Sequence, residues 1–291
     1  MRAGVILNIM KHTTQLTNYI KDRLIGGGID PDEAAAMARI LLAHKLDVTP
    51  PQLPLADSSL LMPSDMDEEI SRLLNGEPLQ YVIGETDFMG LVIHCKPSAL
   101  IPRGDSEVVA ETAIELMKQF PAPRIADICT GSGAYALALA DALPEAAIDA
   151  VDISAEALDL AKSNAARLEL DRRIRFYHGD MLEPLLAKGR IYDMLVSNPP
   201  YIRSGELNDL PGEVLREPAI ALDGGADGLY FYRRLAADAG KLLKSGGVLV
   251  LEHGCDQAAE VSAIMEAAGF STEKIIRDYG SRDRGLVCRA K

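Results

Sequence analysis

The stretch DICTGSGAYALALA, residues 127–140, decides the fold. It joins a short apolar run to an alanine-rich segment through Gly131 and Gly133. Glycines at such a junction let backbone N–H groups and the N-terminus of the following helix come close to a ligand. The pattern therefore predicts a strand, a glycine turn and a helix, the unit that recurs in nucleotide-binding α/β sheets.

Strand-like and helix-like segments alternate on both sides of this unit. The apolar runs RIADICT, AAIDAVDIS, RIRFYHGD and YDMLVSNPP are separated by helical segments such as SAEALDLAKSNAARLEL. Such alternation predicts a parallel sheet covered on both faces. GGVLVLEH adds a strand, and TEKIIRD and GLVCRA are close enough in sequence to pair antiparallel across YGSRDR.

The chain before this region has a different, helical pattern. Residues 13–75 contain three helical segments, one of which opens with Asp30 before Pro31, a typical helix start. From Tyr81 onward the runs become short and strand-like, broken by glycines, which predicts a hairpin. We expect a helical N-terminal domain over 1–76, a β-hairpin linker over 77–100 and an α/β domain over 101–291.

The composition limits the classes of function. With 48% hydrophobic and 25% charged residues, the chain has the composition of an ordinary soluble globular protein. The apolar stretch AGVILNIM, residues 3–10, is far shorter than the ~20 residues that span a bilayer, so we expect no membrane span and no export. The cysteines lie far apart, which argues against disulfides or a metal site and suits the cytoplasm. The net charge of -13 disfavours DNA as a partner.

Two carboxylates frame the glycine turn. Asp152 ends the next strand, where an acidic side chain can accept hydrogen bonds from ribose hydroxyls. Asp127 ends the strand before the turn and suits a ligand with a cationic end, such as S-adenosylmethionine, better than a pyrophosphate. Two alternatives stay open. Gly131, Gly133 and Ala136 also fit an NAD-binding pattern, and the turn can serve helix packing alone, with Asp152 as a helix cap.

Two further residues lie at the end of the following strand, in HGDM. We expect Asp180 to accept a hydrogen bond from the adenine amino group and Met181 to pack against the adenine ring. A structural role for Asp180, as the cap of the next turn, is equally consistent with the sequence.

The motif SNPPY, residues 197–201, follows the fourth strand of the alternating region. Proline has no N–H, so the pair ends the ladder and leaves the Asn198 side chain and the Pro199 carbonyl as unused acceptors. Two converging acceptors can hold a planar NH2 group for methyl transfer, with Tyr201 against its face. A rigid strand exit without chemistry is the alternative.

Together, DICTGSG, Asp152 and NPPY resemble the class I S-adenosylmethionine-dependent methyltransferases that modify planar NH2 groups. With GEPLQYVIGETDFMGLVI, LIPRGDSE and EPAIALDGGADGLYFYRRL, the chain resembles the release-factor glutamine methyltransferases, the PrmC/HemK family. The resemblance implies a Rossmann-like seven-stranded sheet with an antiparallel last strand, a helical N-terminal domain that recognises the substrate, and a hairpin linker. It also implies N5-methylation of the glutamine in the Gly-Gly-Gln motif of class 1 peptide chain release factors, with S-adenosylhomocysteine as product.

The family's functional positions carry over onto this chain. The substrate motif, expected to be catalytic, falls on Asn198, Pro199, Pro200 and Tyr201. The resemblance and the patterns above assign the cofactor to Asp127, Cys129, Thr130, Gly131, Ser132, Gly133, Asp152, Asp180, Met181 and Asn198. No metal is implied.

Two departures from the family pattern are Cys129, where the family usually has glycine, and Gly104, where it usually has proline. We expect Cys129 to give the turn an ordinary L-residue conformation and to alter affinity more than activity. In LIPRGDSE, Asp105 or Ser106 is expected to cap the next helix and Arg103 to pair with a carboxylate.

Three other functions share part of this pattern. An adenine-N6 DNA methyltransferase would use the same NPPY chemistry but would need a basic groove and a base-reading domain. An NAD-dependent oxidoreductase would leave NPPY without a role. A binding module without activity would require an empty cofactor turn.

Overall fold

A computed structural model describes the backbone of residues 2–291 and the side chains of residues 12–291. The side chains of the apolar stretch at residues 3–10 thus lie outside the described residues. The chain divides into two compact units, Met1–Gly84 with Gly212–Arg216, and Glu85–Pro211 with Glu217–Lys291. The predicted limits of the helical domain and linker stay predictions. No helix in the described part of the chain is long and apolar enough to cross a membrane.

The first unit is helical. The Asp30 side chain accepts hydrogen bonds from the N–H groups of Asp32 (2.9 Å) and Glu33 (3.3 Å), and the helix starts at Pro31 as predicted. The unit's helices are α1 (Arg2–Gly26), α2 (Pro31–Lys45), α3 (Asp67–Leu74) and α4 (Leu79–Ile83). Its core consists of buried apolar side chains from all four helices, among them Leu16, Ile20, Leu41, Leu42, Ile70 and Leu79.

The strand-like run expected from Tyr81 begins later than predicted. Residues 79–83 form α4, because Pro78 precedes its first turn and Gly84, at φ +85°, ends it in the left-handed conformation. Hydrophobic pattern alone cannot separate so short a helix from a strand. The hairpin itself is present as β1 (Glu85–Phe88) and β2 (Leu91–His94).

The second unit contains a seven-stranded sheet. Its strands are β3 (Arg124–Ile128), β4 (Ala147–Asp152), β5 (Ile174–His178), β6 (Tyr192–Ser197), β7 (Leu243–Glu252), β8 (Phe270–Arg277) and β9 (Asp283–Ala290). They lie in the order β5-β4-β3-β6-β7-β9-β8. The pairs from β5 to β7 are parallel, whereas β9 is antiparallel to both β7 and β8. The predicted pairing across YGSRDR is thus confirmed.

Helices cover both faces of this sheet. They are α5 (Gly104–Met117), α6 (Ala134–Ala142), α7 (Ala155–Arg167), α8 (Glu183–Leu186), α9 (Tyr230–Asp238) and α10 (Ala258–Ala267). Met194 and Val196 of β6 belong to a buried cluster with α5 and α6, and Leu195 between them belongs to another with α9 and α10. The predicted fold class is confirmed: helices, a hairpin, and a seven-stranded α/β sheet with an antiparallel last strand.

A buried asparagine joins the hairpin to the glycine turn. The Asn164 Nδ2 group on α7 donates to the carbonyl oxygens of His94 (3.2 Å) and Ser132 (3.1 Å). Its Oδ1 accepts from the His94 N–H at 2.9 Å. These bonds satisfy a fully buried side chain and hold the turn in place beside β2.

Candidate functional site

The carboxyl ends of β3, β4 and β6 meet at one edge of the sheet, beside a cavity of about 320 Å³. Open α/β sheets place their ligands at this edge. The cavity is lined by ten of the predicted site residues: Asp127, Cys129, Thr130, Gly131, Ser132, Asp152, Asp180, Met181, Asn198 and Pro200. The predicted residues that do not line it are Gly133, Pro199 and Tyr201.

The glycine turn connects β3 to α6. Gly131 and Gly133 have φ values of +56° and +90°, which glycine adopts without strain. A Cβ atom at Gly133 would lie 3.2 Å from the Cβ of Ala161, so this glycine also permits close packing against α7. The Gly131 N–H donates to Asp152 Oδ2 at 2.8 Å, which connects the turn to the end of β4.

Cys129 does not have the ordinary L-residue conformation that we expected. Its φ is +62°, in the left-handed region, at a cost of about 1 kcal/mol or more. The backbone on either side determines this conformation: Ile128 belongs to β3, and the Thr130 N–H donates to the Val151 carbonyl at 3.0 Å. The Cys129 sulfur lies 3.6 Å from that of Met181, and the two side chains line the cavity together.

Asp127 is a buried carboxylate at the end of β3. Its Oδ2 accepts hydrogen bonds from the Thr130 hydroxyl (2.6 Å) and the Ala136 N–H (3.1 Å). Burial raises the pKa of Asp127 to about 7, although both hydrogen bonds act in the opposite direction. A cation placed beside this carboxylate would favour its ionised form.

Asp152 has a different hydrogen-bond environment. One oxygen accepts from Gly131 N–H and the other from Ser154 N–H, at 2.8 and 2.9 Å. Burial raises the pKa of Asp152, and these backbone bonds oppose the rise. The cap of α7 is Ser154, whose Oγ accepts from the Ala157 N–H, so the helix-cap alternative for Asp152 does not hold.

Asp180 forms an ion pair that the sequence did not indicate. Both of its oxygens accept from Arg234 at 2.8 Å, and the guanidinium lies 5.8 Å from the centre of the Tyr230 ring. Helix α9 brings Tyr230, Phe231 and Arg234 to the cavity, and sequence reasoning missed all three. Their spacing in YFYRRL places Tyr230 and Arg234 one helical turn apart, which was the available signal.

The charges around the cavity favour a cationic ligand. Among the described lining residues, Arg103 and Arg234 are the basic ones, and each is paired with a carboxylate. The acidic lining residues are Asp127, Asp152 and Asp180. A pyrophosphate would therefore find no unpaired cation among the described residues that line the cavity, which argues against the NAD alternative.

The segment LIPRGDSE forms another wall of the cavity and corrects one prediction. Helix α5 begins at Gly104, so Asp105 and Ser106 lie inside it and neither caps it. Arg103 pairs with a carboxylate, as predicted, and that carboxylate is the buried Glu217, which also accepts from the Ile101 N–H at 2.8 Å. Through Glu217, the walls before α5 and after NPPY are tied together.

The NPPY motif follows directly on β6. The ladder between β3 and β6 ends at Ser197, whose hydroxyl donates to the Ile128 carbonyl at 2.7 Å. Within the described residues, the Asn198 side chain makes no hydrogen bond, and no N–H donates to the Pro199 carbonyl. Both acceptors are thus available to a ligand.

The loop after NPPY packs closely against the motif. A Cβ atom at Gly224 would lie 2.7 Å from the Tyr201 Cα, and one at Gly228 would lie 2.4 Å from the Tyr201 carbonyl oxygen. Gln257 donates to that same oxygen at 3.0 Å. Burial raises the pKa of Tyr201 to about 12, so its hydroxyl stays protonated. These contacts pack the loop directly against the backbone of Tyr201.

Comparison with known proteins supports the fold and assigns both parts of the chain to known domain families. Residues 106–226 match the family model of the methyltransferase small domain, and residues 15–84 match that of the PrmC N-terminal domain. The catalytic domain of hMettl16, solved with the MAT2A 3′UTR hairpin 6, is 18% identical, with a TM-score of 0.55 over 69% of this chain and 76% of that chain. At this identity the likeness supports the fold alone.

Sequence relatives are more specific. The release factor glutamine methyltransferase of Moorella thermoacetica is 42% identical over 90% of this chain and 93% of its own length. The protein of the same name from Chlorobaculum tepidum is 38% identical over 89% of this chain and 92% of its own length. The chain therefore belongs to the release factor glutamine methyltransferase family.

Proposed function

We propose that this protein transfers a methyl group from S-adenosylmethionine to the side-chain amide nitrogen, N5, of the glutamine in the Gly-Gly-Gln motif of class 1 peptide chain release factors. One observation carries the proposal. The Asn198 side chain and the Pro199 carbonyl lie at the end of β6, without partners among the described residues, and Asn198 lines an acidic cavity. Membership of the family supports the choice of substrate.

S-adenosylmethionine fits the residues around this cavity. When bound, it supplies an electrophilic methyl group on a sulfonium. The buried Asp127 would pair with its ammonium group, Asp152 would accept from the ribose hydroxyls, and Asp180 with Met181 would contact the adenine. Cys129, Thr130, Gly131 and Ser132 form the adjoining wall, while Gly133 permits close packing of the turn against α7.

Asn198 and Pro199 would position the nucleophile. Their oxygens accept one N–H each from the glutamine amide, which directs the nitrogen toward the methyl group. Pro200 lines the cavity, and Tyr201 packs against the neighbouring buried cluster. An amide is a poor nucleophile, so methyl transfer depends on its positioning and on the exclusion of water.

The overall charge supports a protein substrate. The formal net charge of -13 opposes a nucleic acid and suits a partner with a neutral or basic surface. The cysteines within the described residues are free, which suits the reducing cytoplasm where release factors act.

Labelled methyl transfer tests the proposed reaction. We expect label from S-adenosylmethionine to enter a class 1 release factor and not the same factor with alanine in place of the motif glutamine. DNA is the third sample in the assay, because the adenine-N6 alternative predicts that DNA would be labelled. Equal labelling of the two proteins, or labelling of DNA alone, would contradict the proposal.

Substitution of Asn198 tests the positioning of the amide. We expect Asn198→Ala to lower kcat by about 10²-fold or more, because the substrate nitrogen loses one of its two acceptors. Affinity for S-adenosylhomocysteine, measured by calorimetry, should stay within a factor of about three. The exposed Asn208→Ala is the matched control. An active Asn198→Ala enzyme would show that this amide does not hold the substrate.

Cofactor affinity should depend on pH through Asp127. Its raised pKa of about 7 means that the free protein holds a proton there at lower pH, and this proton must leave before an ammonium group can pair with the carboxylate. Affinity for S-adenosylhomocysteine should fall by up to about tenfold per pH unit below pH 7. Asp127→Asn should bind weakly at every pH. The same pH dependence in that variant would assign the effect to another group.

A further inference from the structure

Methyl transfer to an amide, the proposed function on which this inference rests, leaves an extra proton on the amide nitrogen. As the N–C bond forms, the C–S bond breaks and its electron pair goes to sulfur. The alkylated nitrogen is then cationic and loses one N–H proton. Asn198 and Pro199 offer neutral amide oxygens, which accept hydrogen bonds but are weak bases. A stronger base within reach of the cavity would remove the proton.

Glu252 lies behind the cavity wall, with hydroxyl groups on both of its oxygens. It is the last residue of β7 and is 2% exposed. The Ser106 hydroxyl donates to Oε1 at 3.1 Å, and the Tyr135 hydroxyl donates to Oε2. Ser106 on α5 and Tyr135 on α6 both line the cavity. Each oxygen of this buried carboxylate is therefore one hydroxyl away from the cavity.

The hydroxyl partners distinguish Glu252 from other carboxylates at the site. Asp152 is bonded to backbone N–H groups and Asp180 to a guanidinium, donors that do not readily accept a proton in exchange. A hydroxyl can give its proton to a carboxylate while it accepts another. Thr130 links Asp127 to the cavity in the same way, but Asp127 would pair with the ammonium of the cofactor.

Charged and titratable groups from several elements face the buried carboxylate of Glu252. The titratable or charged groups that face it come from α5, α6, α9, β9 and the NPPY motif: Asp105, Tyr135, Tyr232, Arg284 and Tyr201. Burial raises the pKa of Glu252, and the hydrogen bonds and the Arg284 charge oppose the rise. The neighbouring His253 is buried with a lowered pKa, which favours its neutral form.

We propose that Glu252 accepts the proton released by methyl transfer, through the hydroxyl of Ser106 or Tyr135. As the alkylated nitrogen becomes tetrahedral, one of its two N–H groups leaves its acceptor on Asn198 or Pro199. Its proton passes to the hydroxyl oxygen as the hydroxyl proton passes to a carboxylate oxygen. The methylated amide becomes neutral and Glu252 becomes protonated. Glu252 returns its proton to solvent after the products leave.

The variant Glu252→Gln tests this assignment, because it keeps the size of the side chain and removes the base. We expect kcat for release-factor methylation at saturating cofactor to fall by about 10²-fold. The KM for the release factor and the affinity for S-adenosylhomocysteine should not change. The wild-type kcat should decline as the pH falls through the raised pKa of Glu252, and the variant's kcat should not. The exposed Glu145→Gln is the matched control.

A second variant tests the same proposal if Glu252→Gln does not fold. Ser106→Ala with Tyr135→Phe keeps the carboxylate but breaks both hydroxyl links, and we expect the same loss of kcat. Near wild-type kcat in either variant would overturn the proposal. So would an acid limb that persists in Glu252→Gln and disappears in Asp127→Asn. Failure of the proposed function itself would be visible earlier, because the wild-type protein would not methylate the release factor.

Discussion

Two consecutive prolines end the backbone ladder of β6, and the arrangement of the site depends on this interruption. Pro199 and Pro200 have no N–H to donate, so the pairing with β3 stops at Ser197. The Asn198 side chain and the Pro199 carbonyl are left without partners among the described residues. Because β6 lies next to β3, these acceptors emerge beside the glycine turn. One local constraint thus places a candidate substrate site next to a candidate cofactor site.

The hydrogen-bond partner of each carboxylate decides what that carboxylate can do. Asp152 is oriented by backbone N–H groups, whereas Asp180 is balanced by the charge of Arg234. Burial raises the pKa of Asp127, and a cationic ligand would favour its ionised form. Glu252 is bonded to hydroxyls, which can relay a proton. The three aspartates that line the cavity and Glu252 behind its wall thus differ in chemistry through their environments.

The sequence predicted the parts of the site that local patterns determine. The glycine turn, the strand ends and the exit at NPPY each depend on a few adjacent residues. The ion pairs were harder to predict from the sequence, since Asp180 and Arg234 are 54 positions apart and Arg103 and Glu217 are 114 apart. For Arg103 the sequence indicated only that a carboxylate would pair with it.

Two predictions made from the local sequence were wrong, the backbone conformation of Cys129 and the cap of α5. At Cys129, the backbone of the neighbouring residues determined a left-handed conformation against the preference of an L-residue. At α5, the helix began at Gly104, before the residues that looked like caps. There Asp105 pairs with Arg282 and Ser106 donates to Glu252, both of which are distant in sequence. In both cases tertiary contacts outweighed a local preference.

Mapping of the modified atom tests the central claim most directly. A release factor would be incubated with the enzyme and S-adenosylmethionine for a single turnover, digested, and sequenced by tandem mass spectrometry. Because Asn198 and Pro199 are proposed to bind an NH2 group, we predict one added methyl group, on the side-chain amide nitrogen of the Gly-Gly-Gln glutamine. A methyl group on a backbone nitrogen, a carboxylate or another side chain would contradict it.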